Sequence, residues 1–99
     1  MDASRMISLR YNETLAYADQ LEELVIQLEH MAERAQADQE LLTSMWTGEA
    51  GFAYKVKLMR EEALIRRRSD ELLAAACALR NAARKTYAAE LYALSLLGG

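Results

Sequence analysis

Apolar residues recur in alternating steps of four and three through the first half of the chain. The positions are Ile7, Tyr11, Thr14, Ala18, Leu21, Val25, Leu28, Ala32, Ala35, Gln39, Leu42 and Trp46, and only Thr14 and Gln39 interrupt the apolar run. A repeat of this period is the seam of an α-helix that packs lengthwise on another helix. It predicts a helix over about residues 4–43. Asp19, Glu22, Glu23, Glu29, Glu33 and Glu40 lie off the seam. Beside it runs a second row, Tyr17, Leu24, Met31 and Met45, which makes the apolar face wider than one partner helix can cover.

The second half repeats the pattern. Leu58, Ile65, Leu72 and Leu79 follow at sevenfold spacing, with the small residues Ser69, Ala76 and Ala83 between them and Leu73, Leu94 and Leu97 alongside. The spacing predicts a helix over about residues 49–96, and the small residues admit a close neighbour. Between the two arms stands TSMWTGEAGF, residues 43–52, which holds two of the four glycines and the single tryptophan of a chain without proline. A bend over residues 44–48 follows, with Thr43, Ser44, Thr47 and Gly48 supplying turn and capping chemistry, Thr47 as the N-cap of the second helix and Glu49 in its first turn. Asp2 or Ser4 caps the first helix. Two helices of about 40 residues reach roughly 60 Å each at 1.5 Å per residue, and so short a bend forces them antiparallel. The reading is all-α: a single helical-hairpin domain over residues 1–99.

Composition sharpens this picture. Eighteen alanines sit among the 53% apolar residues, so the residues favour helix strongly while each buries little area. One seam leaves the second row wet, and each exposed Leu or Met forgoes about 1.5–3 kcal/mol of burial. Pairing with a second hairpin into a four-helix bundle is the expected remedy. The packing and dimer residues are Leu21, Leu24, Val25, Leu28, Met31 and Leu42 on the first arm, and Leu58, Ile65, Leu72 and Leu79 on the second. Tyr11, Tyr17 and Tyr54 read as interface packing.

The net charge of −3 hides a division. Residues 1–45 set Arg5, Arg10 and Arg34 against nine carboxylates, a balance of −6, whereas residues 46–99 set nine Lys or Arg against six carboxylates, a balance of +3. Unlike arms favour pairing with each other. The run Arg66-Arg67-Arg68-Ser69 is expected to pair with the first arm's carboxylates, and it lacks the interleaved aromatics and basic surroundings of a nucleic-acid site.

Candidate chemistry adds little. One cysteine, Cys77, excludes an internal disulfide, and its neighbours Ala76 and Ala78 predict a buried or half-buried side chain. His30 is off the seam with no ligand partner in reach. With the bend centred on position 47, it would lie near position 64, about thirteen residues or roughly 20 Å short of Cys77. Glu22-Glu23 and Glu61-Glu62 diverge around their helices, and no phosphate loop or metal-ligand spacing occurs. No enzyme activity, cofactor or metal is expected. No segment reaches the roughly 20 apolar residues of a membrane span, and the N-terminus lacks a signal-peptide core. The chain is expected to be made in the cytoplasm and, where secreted, to leave without a cleavable leader.

Trp46-Thr47-Gly48, set at the bend of two uninterrupted helices in a chain of 99 residues, resembles the WXG family of small helical-hairpin proteins of type VII secretion. The resemblance covers the whole chain. It implies an antiparallel four-helix bundle, exported folded as a homodimer or as a heterodimer with another helical hairpin or with the helical N-terminal domain of a larger effector. In the family the bend of one subunit lies near the other's C-terminal export signal, and together they face the secretion ATPase. Trp46 and Gly48 take the bend positions here. The family's signal, Tyr-x-x-x-Asp/Glu, finds its nearest match in Tyr87-Ala88-Ala89-Glu90, one residue short; at strict spacing Tyr87 meets Leu91 and Tyr92 meets Leu96. Glu90 stands in for the acidic residue because a helix brings i+3 beside the ring, or else a partner carries the signal. Two plainer readings stay open: Trp46 as a plug at the bundle's end, and the chain as a cytosolic helical adaptor or regulator.

Overall fold

The computed structural model describes residues 2–45 and 48–98; Trp46 and Thr47 lie outside them. Two helices account for nearly all of it: α1, Ala3–Met45, and α2, Glu49–Leu96, with no strand among the described residues. The chain is an all-helical hairpin. α2 has the predicted bounds, and α1 runs two residues past its predicted end.

The ends explain the lengths. Asp2 caps α1: its Oδ1 accepts from the Arg5 amide at 2.7 Å while its carbonyl accepts from Met6 N at 3.2 Å, the arrangement of an N-cap carboxylate. Thr43 and Ser44 belong to the last turn of α1 rather than to the bend. The Thr43 hydroxyl donates to the Gln39 carbonyl at 2.8 Å and that of Ser44 to Leu41 at 2.7 Å, folding both side chains back onto the helix's own last turns. At the start of α2 the Gly48 carbonyl accepts a helical bond from Phe52 N at 3.0 Å, while Thr47, the predicted N-cap, lies outside the described residues. Glu49 then sits in the first turn, where a carboxylate suits the helix dipole. Gly98, at φ +75°, ends α2 with its amide on the Ser95 carbonyl, a left-handed C-terminal cap.

The chain divides into two compact units, residues 1–22 with 73–99, and residues 23–72. In the first, α1 buries Ile7 and Ala18, and α2 buries Ala76 and Ala83. Between them Tyr11, Thr14, Leu21, Leu79, Tyr87, Glu90 and Leu94 are half-buried. In the second, Val25, Ala32 and Ser69 are buried, flanked by half-buried Leu28, Ala35, Gln39, Leu42, Leu58, Glu62, Ile65 and Leu72. Every described residue of the predicted α1 seam is thus buried or half-buried. None of the larger side chains is fully enclosed; the deepest positions are alanines, which set the helices close together and leave larger neighbours half wet.

Cys77 departs from expectation. It is exposed, because one residue beyond buried Ala76 the helix has turned about 100° away from the seam. Of its two alanine neighbours, Ala76 is buried in the seam and Ala78 is exposed.

Register departs as well. Within residues 23–72, the Gln39 amide donates to Glu62 at 3.0 Å and Arg66 Nη2 to Gln36 at 3.4 Å. A bend centred on position 47 would have set Arg66 against Leu28, so the pairing has moved along by about one heptad. A slip of seven residues returns the same seam to the same face, and the repeat therefore leaves it undetermined.

Candidate functional site

Three features gather the predicted residues: the bend, a tyrosine pair, and the exposed row. At the bend Gly48 has φ +99°, and a Cβ placed there would meet no atom within 4 Å. The glycine is needed for its left-handed backbone, not for close helix approach. Around it Leu41, Met45, Phe52, Tyr54 and Met59 are exposed. An open apolar recess of about 360 Å³ lies against Asp38, Leu41, Leu42, Tyr54 and Leu58. Trp46, the other predicted bend residue, lies outside the described residues.

Tyr87 and Glu90, the predicted signal pair, are engaged within the hairpin. The Tyr87 ring stacks on Tyr11 with centroids 4.5 Å apart and planes 28° apart. Glu90 accepts from Arg10 Nη2 at 3.2 Å. Adjacent residues of α1 therefore hold two residues of α2 one turn apart, beside a recess of about 240 Å³ that also touches Ile7, Thr14, Ala82, Ala83 and Thr86. An aromatic pair of this kind contributes about 0.5–1.5 kcal/mol beyond its burial. A double-mutant cycle with Tyr11→Leu and Tyr87→Leu is expected to give a coupling energy in that range by thermal or urea melts. Additivity of the two changes would show that the stack contributes nothing.

The cross-helix charges are not those expected. Arg66 pairs with Glu62 and Arg68 with Glu71, each within α2. The attraction between the arms falls instead to Arg80. It donates from Nη2 to Asp19 Oδ1 at 2.6 Å and from Nε to Glu22 Oε1 at 3.1 Å, a planar fork spanning two carboxylates one turn apart on α1. Hydrogen bonding to Asp19 first, and Glu22 second, holds the Arg80 guanidinium above its already high ordinary range. Arg10–Glu90 runs the opposite way, base on α1 and acid on α2. Sequence reading missed both contacts. Their signal is weak, since pairing Arg80 with Asp19 and Glu22 requires the register, which the heptad leaves open.

The remaining predicted packing residues divide by exposure. Leu21, Leu28, Leu42, Leu58, Ile65, Leu72 and Leu79 are half-buried and Val25 is buried, all on the hairpin's own seam. Leu24 and Met31 are each 45% exposed, and Tyr17 is 65% exposed, so the second row lies outside that seam. His30 is exposed, with Nδ1 3.6 Å from Glu33. Among the described residues, no group of three or more His, Cys, Asp or Glu is placed to hold a metal, and no helix is long and apolar enough to cross a membrane.

Comparison with known proteins brings no relative to bear: no family model, curated protein or solved structure matches the chain.

Proposed function

We propose that this chain acts by helix pairing, as a substrate or targeting partner of a type VII secretion system. One observation carries the pairing: among the described residues, sixteen large apolar side chains are exposed, while no large side chain is fully buried. A hairpin whose deepest residues are alanines gains little from its own fold, and its exposed large apolar side chains are left for a partner to cover. The link to secretion rests on the resemblance of Trp46-Thr47-Gly48, at a left-handed glycine between two long helices, to the WXG bend. Pairing with another hairpin, or with the helical N-terminal domain of a larger effector, completes a four-helix bundle. The Trp46 bend then serves the secretion ATPase, and no catalysis, cofactor or nucleic acid is involved.

Deleting the secretion ATPase and blotting culture supernatant for this chain tests the reading. The expected result is loss of the chain from the medium with retention in cells, and the same loss for Trp46→Ala in the intact strain. Unchanged export without the ATPase, or absence from the medium of the intact strain, would overturn it. The second reading, a cytosolic adaptor that never meets a secretion machine, draws on the Tyr87–Tyr11 and Glu90–Arg10 contacts, which employ both signal residues inside the fold.

A further inference from the structure

The run Arg66-Arg67-Arg68 lies within the unit of residues 23–72 and meets no carboxylate of α1. Glu62 engages Arg66 and Glu71 engages Arg68, whereas Arg67 makes no ion pair or side-chain hydrogen bond among the described residues. Lys57 and Arg60 are unpaired in the same way. Lys57, Arg60, Leu64 and Arg67 follow in steps of three, four and three, which sets them along one face of α2, and all four are exposed. At 100° per residue, Arg60 and Arg67 lie on the side turned away from half-buried Ile65 and buried Ser69. No carboxylate falls within the row. Exposed Glu61 and Asp70 stand to either side of it, and Glu71, next in its rhythm, is held by Arg68. Three free cations therefore line about 15 Å of helix.

We infer that this row binds a linear phosphate-bearing polyanion, a chain of phosphates without bases, laid along α2 over residues 57–67. The inference goes beyond the secretion reading and does not depend on it. Three observations choose this occupant. Two of the three free cations are arginines, as are both neighbours at 66 and 68, and the planar guanidinium fork matches pairs of phosphate oxygens. The row has no aromatic side chain on which a base could stack, so phosphate is the part of a polymer it can read. On α1 of the same unit, Glu23, Glu29, Glu33, Asp38 and Glu40 are exposed against Arg34 alone. These carboxylates repel an extended anionic surface such as a membrane within a Debye length of about 10 Å, whereas a single chain follows the row and avoids them.

Fluorescence anisotropy of labelled inorganic polyphosphate, titrated with the intact purified chain at low ionic strength, tests this. The expected result is saturable binding that weakens with salt at a log–log slope of about −2, roughly 0.7 for each of three neutralised phosphates. The double variant Arg60→Gln, Arg67→Gln is expected to weaken binding about ten-fold or more and to flatten that slope by more than one. Helicity by circular dichroism stays unchanged, because both sites are exposed. Arg84→Gln with Lys85→Gln removes the same charge at exposed sites outside the row, and it is expected to leave binding within about two-fold of the parent. Absence of binding at low ionic strength, or equal losses from the two double variants, overturns the inference. Phosphatidylglycerol vesicles that bind the chain more tightly than polyphosphate at matched phosphate concentration overturn the choice of a linear anion.

Discussion

Ala18→Leu is expected to destabilise the hairpin by about 1–3 kcal/mol, the range for forcing extra methylenes into a packed site. Ala18 is 0% exposed, on the face of α1 that packs against α2 in its unit. Three added carbons have nowhere to go unless the helices part, and parting them pulls the Arg80 fork away from Asp19 and Glu22 and the Tyr87 ring from Tyr11. Ala32→Leu is the informative contrast. Ala32 is equally buried, but it borders a recess of about 150 Å³ shared with Leu28, Arg66 and Ser69, which takes up part of the larger side chain. Urea titration of both variants should therefore show a clear fall in midpoint for Ala18→Leu and a smaller fall for Ala32→Leu. Equal losses, or a stabilised Ala18→Leu, would mean that the packed face does not lie where the buried alanines place it.

Gly48→Ala is expected to cost about 1–3 kcal/mol, the strain of holding a residue with a Cβ in a left-handed backbone. At φ +99° the clash is with the residue's own backbone. The empty surroundings of the site, with no atom within 4 Å of the added carbon, therefore give no relief. Gly48→Asn, whose side chain tolerates positive φ better, should recover part of the loss. Thermal melts of the three chains at one concentration check the ordering Gly, then Asn, then Ala. A fully stable Gly48→Ala would show that the bend does not depend on this dihedral. In that event the glycine of Trp46-Thr47-Gly48 would be kept for what it meets outside the chain.

Much of the fold was legible. The heptad located both helices and the seam because burial in a helix has a period that residue order records directly, and the absence of proline left nothing to interrupt it. Of the candidate site, Gly48 and the exposed row Tyr17, Leu24 and Met31 were legible for the same reason. The contacts of Tyr87 and Glu90, the Arg80 fork and the local pairing of Arg66 and Arg68 were not. Each depends on which residues of one helix stand level with which of the other.

The residues alone determined that the chain forms two long helices, where they bend, which stripe of each is hidden, and that apolar surface remains beyond it. Those are properties of composition and of a 3.6-residue turn. Only the tertiary structure decided the register between the helices, and with it the partners of Arg10, Tyr11 and Arg80. A seven-residue repeat packs equally well one heptad along, and the choice falls to the turn at Gly48 and to the few polar and aromatic pairs that fit a single alignment.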